Sequence, residues 1–124
     1  MAEGKGAYRV ALANVDTGGG VVSLANPEGV DLLVTKLILE TSVAATAACT
    51  LDAGIAAAAT TLSDNLIDGL DVNAAAGVFD NVDDQGTNGK VTQSWDSDEY
   101  LTISVKTGAS AGLVGYAYIE YIRA

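Results

Sequence analysis

Residues 30–41 read VDLLVTKLILET, the longest apolar run in the chain. Side chains branched at Cβ lose rotamer freedom in a helix and pack well on a pleated surface, so the run predicts a strand. Read as an unbroken strand, it puts Leu33, Leu37 and Leu39 on one face with Thr35. Leu32, Val34 and Ile38 then lie on the other with Lys36 and Glu40. Both faces are largely apolar, which predicts cover on both sides. A two-layer sandwich covers only one face of each sheet. The second face therefore calls for a neighbouring chain, and a homo-oligomer is expected.

The rest of the chain repeats the pattern of short strands between turn signals. In AYRVALA (7–13), Tyr8, Val10 and Leu12 face one way and Arg9 the other. DTGGG (16–20) is a turn, VVSLA (21–25) a strand, and NPEG (26–29) a turn. EYLTISVKT (99–107) alternates, with Leu101, Ile103 and Val105 inward and Tyr100, Thr102, Ser104 and Lys106 outward. GASAG (108–112) is a hairpin turn. LVGYAYIEYIRA (113–124) is again apolar on both faces, with Val114, Tyr116, Tyr118 and Ile122 on one and Leu113, Ala117, Ile119 and Tyr121 on the other. KVTQSW (90–95) reads as strand. Residues 43–60 fit a helix by their alanine content, but Gly54 and several threonines favour a strand at Ala47–Leu51 and a turn at Asp52–Gly54. Residues 1–6 are expected to be a flexible tail and 7–124 a single domain. The stretch 1–9 is a candidate docking arm. With strands favoured throughout, the expected fold class is all-β, a jelly-roll-like antiparallel sandwich or barrel.

Composition narrows the function. The 124 residues carry 16 acids and six bases, a net charge of −10. That charge repels phosphate, so neither nucleic acid nor an anionic membrane surface is an expected partner. Histidine is absent, which removes Ser–His–Asp and Cys–His catalysis and His-ligated zinc. Cys49 is the single cysteine; it lies among alanines and reads as a small buried hydrophobe. The start lacks a signal-peptide apolar core, and the Ala- and Thr-rich stretch 41–62 is too weakly apolar for a membrane span.

The remaining question is the acid-rich stretch SDNLIDGLDVNAAAGVFDNVDDQGTNG, residues 63–89. DNLIDG (64–69) and DNVDDQG (80–86) echo each other. Calcium favours carboxylate and carbonyl oxygens, and Asp80, Asp83 and Asp84 offer carboxylates. Val82 in the third position and the lack of a closing Glu break the EF-hand pattern. Asp and Asn also make side-chain turns, so the stretch reads as turns and surface charge. Paired carboxylates for sugar hydrolysis are uninformative among so many acids. DTGGGVV lacks the lysine and spacing of a phosphate loop. No catalytic residue, cofactor or metal ligand is expected.

The second half, CTLDAGIAAAATTLSDNLIDGLDVNAAAGVFDNVDDQGTNGK followed by EYLTISVKTGASAGLVGYAYIEYIRA, resembles small structural proteins encoded in tailed-phage and prophage virion gene clusters. The ending GLVGYAYIEYI is especially similar. The resemblance spans residues 47–124 and consists of strands and small-residue turns, with no catalytic signature. It implies a jelly-roll-like fold and a non-enzymatic virion role, decorating or cementing a capsid, commonly as a trimer. The implied partners are further copies of the chain and a major capsid protein. The implied location is the virion, assembled in the host cytoplasm. Tyr116, Tyr118, Ile119 and Tyr121 are the expected packing residues, within the subunit or between subunits. A carbohydrate- or receptor-binding sandwich of a fibre or tail, calcium-dependent, is the alternative. A small enzyme with an unfamiliar site is the third reading.

Overall fold

A computed structural model describes residues 5–12 and 20–124. Their regular structure is strand alone: β1 (Lys5–Ala11), β2 (Gly20–Ala25), β3 (Leu32–Val43), β4 (Cys49–Ala56), β5 (Ile67–Asp71), β6 (Gly77–Asp80), β7 (Gln93–Trp95), β8 (Tyr100–Gly108) and β9 (Val114–Arg123). One sheet runs β1-β9-β3-β6, with β7 also paired to β3; the other runs β2-β8-β4-β5. Every pairing is antiparallel. The partners β1–β9, β2–β8, β3–β6 and β4–β5 nest like one long hairpin rolled on itself, which is the jelly-roll winding. The expected fold class is thus observed, as a sandwich.

Between the sheets lie the fully buried Trp95, Leu32, Leu37, Leu39, Leu51, Ile67, Leu101, Ile103 and Ile119. Each such aliphatic side chain contributes roughly 1.5–3 kcal/mol through burial. In β9, Ala117, Ile119 and Tyr121 point inward, as alternation predicts, while Val114 and Tyr116 are exposed.

β3 departs from its expected alternation. Its register against β9 slips between Val34 and Lys36, leaving Thr35 as an extra residue. A bulge reverses which parity faces the core. Leu32 and Val34 are therefore buried before it, and Leu37 and Leu39 after it. Much of the apparent two-faced greasiness of 30–41 is one buried stripe that changes parity. Leu33 and Ile38 remain on the outer face, opposite Ile122 and Tyr118.

Other boundaries also move. β1 begins at Lys5, inside the stretch expected to be tail. Residues 1–4, and 13–19 with most of the DTGGG turn, lie outside the described residues, so the docking-arm reading of 1–9 is covered only from Lys5 onward. The expected turn at Asp52–Gly54 is continuous strand, and 43–60 holds no helix. β5 and β6 arise inside the acid-rich stretch, where only turns were expected. The strand expected over 90–95 shrinks to Gln93–Trp95.

Candidate functional site

The two outer faces of the sandwich differ. On the β2-β8-β4-β5 sheet, the chain covers its own face. Residues 57–66 pass over it, with Ser23 Oγ donating to Ala59 O (2.8 Å) and Thr102 Oγ1 donating to Thr61 O (3.0 Å). Thr102 and Ser104, expected outward, do point away from the core, yet are only 3% and 1% exposed. Gly54 lies under this cover: a Cβ there would collide with the Asn65 and Ser63 side chains.

Asparagines complete ladders where strands stop. Asn65 Oδ1 accepts from Ile55 N–H (2.8 Å) and Nδ2 donates to Ile55 O (3.1 Å), so its amide imitates a strand residue beside β4. Asn81 does the same for β3 between its β7 and β6 partners. Its Oδ1 accepts from Leu37 N–H (2.8 Å), its own N–H donates to Leu37 O (3.1 Å), and Nδ2 donates to Lys90 O and Val91 O. The Asp-Asn echo is thus a shared structural device at its Asn positions.

The acids divide into turns and one cluster. Asp80 Oδ1 accepts from the N–H groups of Val82 (2.8 Å) and Asp83 (2.9 Å), and these bonds hold its carboxyl below the usual range. Asp71 Oδ1 caps Asn73 and Ala74 in the same way. Asp80, Asp83 and Asp84 belong to turn architecture, with Asp84 Oδ2 accepting from Asp80 N–H.

The carboxylates that converge are Asp52, Asp64 and Asp68, whose oxygens lie within 4.8 Å of one another. Two bulges shape the group, one beside Asp52 and Asp68 and one that supplies a lysine. In β5, Gly69 is the extra residue beside β4; its φ of 82° favours glycine, and its N–H donates to Asp52 Oδ1 (2.9 Å). In β8, Lys106 is the extra residue, and its ammonium reaches Asp68 Oδ1. That contact lowers the Asp68 pKa and raises that of Lys106. Burial pushes Asp52 the other way, upward, against the Gly69 hydrogen bond. Asn88 supports the group, donating from N–H to Asp68 Oδ2 (3.2 Å) and from Nδ2 to Asp64 Oδ2 (3.0 Å). Ser104 sits directly opposite Asp52 in the β4–β8 ladder, and its buried Oγ has no hydrogen-bond partner among the described residues. A buried unpaired hydroxyl costs roughly 1–3 kcal/mol.

The outer face of the β1-β9-β3-β6 sheet has no such cover among the described residues. Val114 is 51% and Val78 69% exposed, and Tyr116 37%. Ile38 pairs with Tyr118, Leu33 with Ile122, and Val43 with Val114 on the same face. Tyr116 and Tyr118 lie 6.4 Å apart between ring centroids, and the Arg9 guanidinium sits 4.5 Å from the Tyr116 centroid. The register also places Lys5, Lys36, Glu40, Asp80 and Glu120 here. This face holds three bases and three acids, so the net −10 is carried by the rest of the chain.

Of the four expected packing residues, Ile119 (0% exposed) and Tyr121 (3%) belong to the subunit's own core. Tyr121 OH donates to Glu28 Oε2 (2.8 Å), and burial together with that carboxylate pushes its pKa to about 12. Tyr116 and Tyr118 look outward. Cys49 is buried as expected, and burial raises its thiol pKa. The Asp52–Asp64–Asp68 group was not foreseen. Its members come from β4, a loop and β5, and alternation offers only one hint: polar Ser104 and Lys106 on the outer side of β8.

The chain matches no protein-family model, no curated protein and no solved structure.

Proposed function

We propose that the protein is a non-enzymatic structural module of a tailed-phage virion, which self-associates through the outer face of its β1-β9-β3-β6 sheet and decorates or stabilises a capsid. The uncovered, charge-balanced face carries this reading. A chain of net charge −10 repels its own copies, but that repulsion is weakest where three bases offset three acids. The same face carries exposed valines and two tyrosines, residues suited to subunit contacts.

The size is adequate. β9 has ten residues; at about 3.3 Å per residue and about 4.8 Å between strands, four strands present roughly 600 Å². Stable interfaces take about 600–1,000 Å² from each partner. A trimer is the favoured assembly, following the resemblance of residues 47–124 to virion proteins, and the major capsid protein is the second partner. On a lattice, many weak contacts add through multivalency.

Two experiments test the reading. Val78→Lys combined with Val114→Lys should turn an oligomer into a monomer of unchanged circular dichroism. Mass spectrometry of purified particles from the source should find the chain in stoichiometric amount with the capsid protein. Particles that lack it would overturn the virion assignment, while leaving self-association to be judged by the variant.

A further inference from the structure

We propose that Asp52, Asp64 and Asp68, completed by the Ser104 hydroxyl, form a binding site for one calcium ion on the covered face of the β2-β8-β4-β5 sheet. The inference is independent of the virion reading. Two separate observations meet here. Three carboxylates converge within 4.8 Å. Beside them, Ser104 is 1% exposed and its Oγ lacks a partner.

The ladder puts Ser104 on the carboxylates' side of the sheet. Ser104 and Asp52 are directly opposite in β4–β8, so both side chains leave the sheet on the same face. Cβ atoms in such pairs stand about 4.5–5.5 Å apart, a span that one bound ion can bridge. Thr102, the next outward residue of β8, has its hydroxyl bonded to Thr61 O. Among the described residues, Ser104 Oγ is the buried side-chain oxygen left without any hydrogen-bond partner.

The donor set selects the ion. All four donors are hard oxygens, which disfavours zinc and copper. Calcium takes six to eight oxygens in flexible geometry, and water can supply the remainder. Magnesium demands tighter octahedral geometry and usually keeps most of its water. Asp52 Oδ1 is held by Gly69 N–H, which leaves its second oxygen for the ion. The Lys106 ammonium on Asp68 is the competing charge. Three acids against one base leave room for a dication, and calcium binding would release Lys106 from Asp68.

The test uses the full chain treated with a chelator and titrated with calcium chloride. Calorimetry and melting are followed, with sodium chloride at matched ionic strength and magnesium chloride as controls. One calcium per chain should bind at millimolar concentration or below, with a melting rise of several degrees that sodium does not reproduce. Ser104→Ala should melt higher than the parent without calcium, since an unpaired buried hydroxyl is gone. The same variant should bind calcium about tenfold more weakly or worse. A merely structural serine would not show these opposite signs. Asp52→Asn should lose the calcium response, Lys106→Gln should strengthen it, and Asp80→Asn in the neighbouring turn should leave it unchanged. Absence of any calcium-specific heat or melting shift would overturn the site. So would a response that survives in both Asp52→Asn and Ser104→Ala. If Asp52→Asn does not fold, the Ser104→Ala result decides.

Discussion

The two outer faces of this sandwich are built from the same kind of strand and treated in opposite ways. Over β2-β8-β4-β5, the loop 57–66 lies against Gly54 and Thr102 and ties itself down with hydroxyl and amide hydrogen bonds. Over β1-β9-β3-β6, comparable strands leave Val78, Val114 and Tyr116 exposed. One face is finished within the chain, and the other is the face proposed to meet another chain. Polarity follows the difference: the self-covered face carries small polar residues and acids, while the open face carries aromatics, aliphatics and balanced charge.

The largest effect is expected from lifting the cover. Gly54→Val forces a side chain into Asn65 and Ser63, and overpacking of this kind costs about 3 kcal/mol. Urea unfolding should show a matching fall in midpoint. A valine accommodated without loss would mean that the loop is not packed as described. Next comes Asn81→Ala, which strips partners from Leu37 N–H and from the Lys90 and Val91 carbonyls. A cost of about 2–3 kcal/mol is expected from lost and unsatisfied hydrogen bonds, measurable in the same assay. On the open face, Tyr116→Ser should change subunit stability by less than about 0.5 kcal/mol while weakening association, read by sedimentation at several concentrations. A large loss of monomer stability would place Tyr116 in the subunit's own packing instead.

The pH response separates the faces more finely. Asp68 and Asp80 have lowered folded pKa values, through the Lys106 contact and the turn N–H groups respectively. Their contribution is present above the ordinary Asp value of 3.8 and is lost as pH falls through the folded values. Asp52 is raised by burial, so its contribution has the opposite sign: it favours folding in acid and fades as pH rises through its folded value. Melting curves should therefore fall below about pH 4, and Asp52→Asn should add stability near neutrality when no calcium is present. At the alkaline end, Tyr121 contributes fully below pH 10 and loses that contribution as pH rises to about 12. Ultraviolet titration of tyrosinate should resolve that late ionisation.

Much of this was legible in residue order, for physical reasons that also mark where legibility stopped. Alternation fixes faces, so β8 buries Leu101 and Ile103 as expected and β9 keeps Ala117, Ile119 and Tyr121 together on one face, the buried one. Bulges defeat alternation: Thr35 turns two apparent stripes of β3 into one, and the extra residues Gly69 and Lys106 aim the acid cluster. Small residues hide strands, which is why Gly54 read as a turn when it marks a strand passing beneath a loop. The echo DNLIDG and DNVDDQG was visible, but its function was not. Asn65 and Asn81 act as pieces of strand, and nothing local distinguishes that from an ordinary turn. The open face was anticipated from surplus apolar residues, a surplus that β3's bulge reduces and that Val43, Val78, Val114 and Tyr116 still leave in place.

Light scattering coupled to size exclusion, run at high protein concentration, tests the central claim most directly. Self-association through the open sheet face, with the trimer that the resemblance implies, predicts a particle of about three times the 12.5 kDa chain mass, falling to a single chain mass when Val78 and Val114 are both changed to lysine. A parent protein that elutes only as one chain at every concentration would contradict it.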